Sequence, residues 1–490
     1  MKCLSKKNTY LVFGVGTTGK ATIYFLQKNN YNFYISDDSE EKLKNLTVDN
    51  KIINETQKIY KLDEKDLKKK NINFIVLSPS VHAQNNPHKI VNIANKLCIT
   101  IIPDIDLFYE YILQYNRLHK THKKLIAITG TNGKSTTTAL TEFLFNQFGK
   151  KAVACGNIGV NTLSLDVKQY DLFITEMSSY NLFLSKNTLF ETSVLLNITN
   201  DHFDYHGSIE NYIDAKFKAI KQAKIKILCI DDKNISNFLK KNYQLHPKNL
   251  KLKNNDHINN DNVNNMVYVS TKQILDNGWS WKKNTFFYNK EPIFNGTFDN
   301  LPGMHNIENI LSSVACVTKT LNINDLRIIH DIFEKVHLFQ GLPHRLQFVK
   351  KINEIYFIND SKATNADSTQ KALKTLKNND IYLIAGGQRK TDGFLSITND
   401  LKHVKHVYLI GEASESFSQE LNSIGIKYTK CFNMTNAVLT ATKEARKNIY
   451  LNKKKHKTII LLSPLCASWD QYKDFEERGN DFIKIVNSII

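Results

Sequence analysis

The sequence predicts an α/β fold built from three successive, mostly parallel sheets. Short apolar runs of strand length recur along the 490 residues, and each ends in Gly, Ser, Asn or Asp before a helical stretch. At roughly 150 residues per domain, a chain of this length holds about three domains. Their expected limits are residues 1–112, 113–341 and 342–490. Parallel sheets are covered on both faces and bind ligands at the carboxyl ends of their strands. The loops that follow the strands are therefore where chemistry is expected.

In the first unit, Tyr10-Leu11-Val12-Phe13 reads as a strand and runs straight into Gly14-Val15-Gly16-Thr17-Thr18-Gly19. A helix is expected over about residues 20–28. Phe33-Tyr34-Ile35 reads as a second strand ending in Ser36-Asp37-Asp38, and residues 73–77 as another ending in Ser78-Pro79. The second unit opens with the strand Lys124-Leu125-Ile126-Ala127-Ile128-Thr129, a Gly-rich turn and a helix reaching about Gly149. Leu172-Phe173-Ile174 and Val194-Leu195-Leu196 follow. Residues 240–265 are rich in Lys and Asn with little periodicity, and read as a solvated surface insertion. The third unit carries strand-length runs at 355–358, 381–385, 407–410 and 458–462. No repeat of solenoid length is present.

Composition narrows the function classes. Apolar residues are 41% and charged residues 23%, which suits a folded chain. The net charge is +19, yet only six of the 66 cations are Arg. Readers of nucleic acid lean on the Arg fork, so this excess of Lys, accompanied by Asn and Ile, reads as compositional bias rather than nucleic-acid binding. The seven Cys are scattered, with no CxxC pair, against a disulfide framework or zinc ribbon. No apolar run approaches the ~18–20 residues of a membrane span. No apolar segment of signal-peptide length precedes Gly14. A soluble, cytoplasmic protein without membrane insertion is expected.

The chemistry-bearing segments follow the strands. Gly14-x-Gly16-x-x-Gly19, with Asp37 and Asp38 about 20 residues on, fits a nucleotide fingerprint: glycines admit a phosphate to the backbone and the helix N-terminus adds positive charge. Gly130-Thr131-Asn132-Gly133-Lys134-Ser135-Thr136 sits between a strand and a helix, as a phosphate loop must. Its N–H groups cradle phosphates, Lys134 meets the β/γ oxygens and the Ser135 hydroxyl suits Mg²⁺. The strict G-x-x-x-x-G-K-[ST] spacing is not met, because its first Gly would fall at Ile128. Gly156-Asn157-Ile158-Gly159 and Glu176-Met177-Ser178-Ser179-Tyr180 come next; Glu176, just past a strand, is placed either to hold a metal or to cap a helix. In Asn197-Ile198-Thr199-Asn200-Asp201-His202-Phe203-Asp204-Tyr205-His206-Gly207, two His and an Asp alternate, which suits either a transition metal or a capped loop. Lys216 follows on a helix expected over residues 209–222. A nicotinamide dehydrogenase would need only the first unit and would leave residues 130–136 unexplained.

Taken in order, residues 130–136, Gly156-Asn157-Ile158-Gly159, Glu176 with Ser178-Ser179, Asp201-His202 and Lys216 resemble the central ATPase domain of the Mur ligase family, the ATP-dependent amide-forming ligases of peptidoglycan precursor synthesis. The resemblance implies Rossmann-like N- and C-terminal domains around a central P-loop ATPase-like domain. It implies ATP and two Mg²⁺ sites held by Ser135, Glu176, His202 and Lys216, the lysine carbamylated by CO₂. His305-Asn306 and Asn309 resemble the adenine- and ribose-side residues.

In the third unit, residues 341–345, 359–365, 462–470 and 475–479 are similar to the branch that adds D-glutamate to UDP-N-acetylmuramoyl-L-alanine. The Asp-Asn-Pro-Arg motif of the diamino-acid branch is absent. By this resemblance Lys362, Thr364, Lys390, Ser468 and Phe475 surround D-glutamate, and a small dicarboxylate does need cations, hydroxyls and backbone donors. Thr17, Thr18, Asp37 and Ser78 take the uridine diphosphate end, with Asn157 and His202 nearer the sugar. Lys134, Glu176, His202, Lys216, Arg345 and Asp360 are the implied catalytic residues, the last two also meeting ATP. The implied reaction forms an acyl phosphate, then a tetrahedral intermediate, and the enzyme is implied to be monomeric. The chain departs from the family at Ser80, after Ser78-Pro79, and at Asn181, where Gln is usual. A folylpolyglutamate-type ligase is the alternative within the fold, and residues 361–365 and 466–470 argue against it.

Overall fold

The computed structural model describes residues 3–49, 51–199, 201–243, 265–298, 300–389, 393–451 and 456–489. It divides into two compact units, Met1–Thr297 with Met304–Val336, and Phe298–Gly303 with His337–Ile490. Most of the Lys/Asn-rich insertion, residues 244–264, lies outside the described residues, as does Lys390.

The first unit holds two large sheets. In the N-terminal sheet, β1 (Thr9–Phe13), β2 (Asn32–Ser36), β5 (Phe74–Leu77) and β6 (Thr100–Ile102) pair in the order β2-β1-β5-β6, all parallel. Short strands β3 (Thr47–Val48) and β4 (Lys51–Ile52) pair antiparallel apart from it. The chain reverses its winding between β1 and β5, so the loops after these two strands face each other. The helix after β1 begins at Thr17, not near residue 20. Thr17 and Thr18 form its first turn, where their low interior propensity costs little.

The central sheet is built from β7 (Lys124–Thr129), β8 (Ala152–Gly156), β9 (Leu172–Glu176), β10 (Phe190–Leu195), β11 (Ala223–Cys229) and β12 (Met266–Ser270), continued by β13 (Trp279–Lys282), β14 (Thr285–Tyr288) and β15 (Glu291–Asn295). Its order is β15-β14-β13-β12-β11-β10-β7-β9-β8, and only the β13-β14-β15 edge is antiparallel. That edge was not expected from sequence. Its strands are four or five residues long, too short for alternation to register. One apolar core runs from Tyr10, Val12 and Phe74 through Phe108 to Ala127, Val153 and Phe173, so the two sheets share an interior. Phe108 and Phe173 meet edge to face at 5.1 Å.

In the second unit, β16 (Gln347–Ile352), β17 (Ile355–Asn359), β18 (Asp380–Gly386), β19 (Val404–Ile410), β20 (Tyr428–Phe432) and β21 (Thr458–Leu462) pair as β16-β17-β21-β18-β19-β20. Only β16 runs antiparallel. Alternate residues serve two cores, Leu383, Val407 and Leu461 on one face, Ile384, Tyr408 and Leu462 on the other. Helices therefore cover both faces, and function is left to the strand ends. Six of the seven cysteines are buried; Cys98 is exposed. Among the described residues, no helix is long and apolar enough to cross a membrane.

Candidate active site

Strand register brings the predicted loops of the first unit to one edge. Thr129 pairs with Leu195, Ile128 with Glu176, and Glu176 with Gly156. The segments beginning at residues 130, 157, 177 and 196 thus all leave the carboxyl end of the central sheet together.

The loop over residues 130–136 is braced from two sides. Asn197 accepts the Thr131 N–H on its carbonyl and the Asn132 N–H on its side chain, both at 2.8 Å, and returns a hydrogen bond to the Asn132 carbonyl. Asn309, from the helix Met304–Thr320, accepts from the Thr137 hydroxyl and donates to Asn306. Gly133 sits at φ +85°, and a Cβ there would lie 2.4 Å from the Asn309 side-chain oxygen, so glycine is required. Lys134 folds back to donate to the Thr131 carbonyl at 2.9 Å. Ser135 is partly exposed and Thr136 buried in the first turn of the helix Lys134–Gln147. Sequence reasoning gave Asn197 no role, because only the fold brings it to residues 131–132.

Two buried groups flank this loop. Glu176 is the last residue of β9 rather than just past it; it is 4% exposed, and its Oε2 has no hydrogen-bond partner. Lys216, on the helix Ile209–Lys221, is 2% exposed and donates to the Gly130 carbonyl at 2.8 Å. Burial, and then the nearby Lys134 charge, hold the Lys216 amine well below the usual lysine range.

His202 is exposed at φ +53°, with Nδ1 2.7 Å from the Tyr180 hydroxyl. His206 is fully buried, and its two ring nitrogens meet Gln84 Oε1 at 2.7 Å and the Ser179 hydroxyl at 2.9 Å. Burial pushes its ring down to about 4. Both ring nitrogens of His206 are thus taken within an aromatic-packed turn, which separates it from the exposed His202. Among the described residues, no group of three or more His, Cys, Asp or Glu is arranged to hold a metal by itself.

In the N-terminal sheet, Asp37 accepts from the Val15 and Ser39 N–H groups at 2.8 and 2.9 Å. Ser78 donates to the Gly14 carbonyl at 3.0 Å. Both side chains therefore shape the Gly-rich turn. Thr17 is exposed and Thr18 half-buried on the adjoining helix. A cleft of about 400 Å³ opens beside Asp37, lined also by Phe13, Asp38, Tyr60, His88 and Ile90. Asn157 is exposed and donates its N–H to the Glu176 carbonyl at 3.1 Å.

The second unit carries its own set. Asp360 follows β17 and is 5% exposed, accepting from the Leu346 N–H and the Ser463 hydroxyl. Burial pushes its carboxyl up to about 7. Arg345 is exposed. The Lys362 ammonium lies over the Phe475 ring at 5.6 Å, Thr364 is half-buried two residues on, and Ser468 is buried after β21.

Comparison with known proteins identifies the family. The family model described as the Mur ligase middle domain matches residues 128–317, and the one described as the Mur ligase, glutamate ligase domain, matches residues 344–464. The chain is 32% identical over 526 residues to the UDP-N-acetylmuramoylalanine--D-glutamate ligase of Wolbachia pipientis wMel, covering 99% of this chain and 97% of that one. To the ligase of the same name from Rickettsia bellii it is 36% identical over 489 residues, covering 99% of each. Among solved structures, the UDP-N-acetylmuramate-alanine ligase MurC of Thermotoga maritima superposes with a TM-score of 0.52 at 16% identity, over 98% of this chain and 99% of that one, a likeness of fold. With both family models matching and relatives this similar along its whole length, the chain belongs to the Mur ligase family.

Proposed function

We propose that the chain joins D-glutamate to UDP-N-acetylmuramoyl-L-alanine with ATP, through an acyl phosphate and a tetrahedral intermediate, as a cytoplasmic monomer with domains 1–112, 113–341 and 342–490. The observation that carries this reading is the near-full-length similarity to ligases of that name. ATP lies on residues 130–136, with Asn306 and Asn309 toward its base and ribose and Arg345 and Asp360 also serving it. Loop N–H groups and Lys134 offset the charge on the γ-phosphoryl group as the L-alanine carboxylate attacks it and ADP leaves. Ser135, Glu176, His202 and Lys216 would hold Mg²⁺, which supplies further charge neutralisation when bound. The unpartnered Glu176 oxygen suits that role. Lys216 suits it only as an anion. Its amine, whose hold on the proton burial weakens, adds in its neutral form to the carbon of CO₂ and sheds a proton, giving a carbamate.

D-glutamate, held by Lys362, Thr364, Lys390, Ser468 and Phe475, supplies the amine. It attacks the acyl carbon, loses a proton and expels phosphate. Thr17, Thr18, Asp37 and Ser78 are assigned to the uridine diphosphate end, and Asn157 and His202 to the sugar side. The cleft beside Asp37 adds Phe13 and His88 to that set.

The test is an amino-acid panel with ATP, Mg²⁺, bicarbonate and UDP-N-acetylmuramoyl-L-alanine, read by phosphate release and product mass. Product one glutamyl unit heavier with D-glutamate alone is expected. Ligation of a different amino acid instead would overturn the choice of D-glutamate.

A further inference from the structure

Arg478 is one of the largest fully buried side chains in the protein, 1% exposed on the helix Phe475–Ser488. All five of its guanidinium N–H donors are engaged, the full complement of an arginine. Nε donates to the Ser361 hydroxyl at 3.0 Å. Nη1 donates to the carbonyls of Gly386 at 3.4 Å and Ala467 at 3.2 Å. Nη2 donates to those of Ser361 at 2.9 Å and Cys466 at 3.1 Å. These acceptors are neutral and come from the loops after β17 and β21 and from the last residue of β18, where its loop begins. Among the described residues, no carboxylate lies within ion-pair distance of Arg478, and Asp470 acts on it only through space. Such a cage satisfies the donors but leaves a net positive charge under the carboxyl edge of the sheet.

The residues assigned to the amino acid hang from this cage. Lys362 and Thr364 follow Ser361, and Ser468 follows Ala467. The Ser361 hydroxyl, having accepted from Arg478, donates to the Phe475 carbonyl at 2.8 Å. Gly387 sits at φ +129° with its Cβ direction blocked by the Ala467 carbonyl at 2.2 Å and Arg478 Nη1 at 3.0 Å, so the cage admits no side chain there.

We propose that Arg478 is the positioning residue of the amino-acid site, fixing the three loops that grip the incoming dicarboxylate and lending its uncompensated charge to that anion. The proposal rests on the reading that this edge of the second unit takes the amino acid. Lysine has three donors against five and cannot span three loops as a planar fork.

The experiment compares full-length wild type with Arg478→Lys and Ser361→Ala, each checked for a cooperative melt, and measures KM for D-glutamate, ATP and the UDP substrate separately. Arg478→Lys should raise KM for D-glutamate by about 20-fold, with the other two KM values within about twofold. Ser361→Ala should shift the same KM in the same direction by less. Ethylguanidinium should restore part of the D-glutamate affinity to Arg478→Ala. Equal KM values for D-glutamate in wild type and both variants, or all three KM values rising together, would overturn the inference while leaving the reading of the site intact. Wild type ligating only another amino acid would overturn the D-glutamate reading instead, and the same comparison is then run with the amino acid it accepts.

Discussion

Lys216 and Arg478 are both buried cations at the carboxyl edge of a sheet, both donating to carbonyl oxygens, and they behave in opposite ways. Lys216 has a point charge and one strong acceptor, the Gly130 carbonyl, with Thr129 Oγ1 at 3.5 Å. Burial then favours the neutral amine. Arg478 spreads its charge over a plane with five acceptors, and although burial lowers it to about 10 it stays charged at neutral pH. A buried lysine with one strong acceptor loses its hold on the proton, whereas an arginine with five acceptors keeps it.

The comparison breaks first at the nitrogen. Lys216→Arg installs a permanent cation in place of an amine that can take up CO₂, and turnover should fall by about three orders of magnitude while nucleotide binding, followed by equilibrium titration, changes only a few-fold. Retained turnover would mean that charge alone is what Lys216 supplies. The glycines behind each cation sharpen the contrast. Gly133→Ala would press on Asn309 and should raise KM for ATP. Gly387→Ala would press on the Ala467 carbonyl and should raise KM for D-glutamate. Each should shift about 10- to 100-fold, from ~1–3 kcal/mol of strain, and each should leave the other substrate nearly untouched.

Smaller effects separate the two units by pH. The folded chain holds the Asp360 proton up to about 7, whereas the ordinary aspartate value is 3.8. Ionisation therefore costs folding free energy as pH rises from about 4 through 7. Asp360→Asn should stabilise the protein at pH 8 by ~2 kcal/mol, with the gain fading toward pH 4, as urea midpoints would read. In the first unit the sign reverses. His206 resists protonation down to about 4, against 6.5 ordinarily, so wild type loses stability as pH falls from 6.5 toward 4. His206→Gln should flatten that acid limb by ~1 kcal/mol between pH 7 and 4.5.

What was legible in the sequence was local. Residues 130–136 lie between a strand and a helix as expected, because glycine, lysine and hydroxyl residues at that junction have few other uses. Lys216 could be placed only by resemblance, since a lone lysine on a helix is ordinarily a surface residue. The brackets were invisible. Asn197 and Asn309 reach Asn132 and Thr137 from 65 and more residues away. Arg478 stood in a segment similar to the family, but its acceptors lie up to 117 positions off. Asp37 and Ser78 were read as facing a ligand, and the hydrogen bonds by which they also hold residues 14, 15 and 39 were not foreseen. Spacing shows that a side chain stands at a strand end, not which backbone group will engage it.

The cysteines have a practical use of their own. Burial pushes the Cys155, Cys316 and Cys466 thiols up to about 12, and Cys3, Cys229, Cys431 upward too, so at neutral pH these six are poor nucleophiles as well as hidden ones. Cys98 is left as a natural address in the first unit. A maleimide dye can be placed there without removing any residue, and Ser423→Cys, at an exposed position of the second unit, gives a second address. The chain then carries a ruler between its two compact bodies, one that can be read during turnover, molecule by molecule.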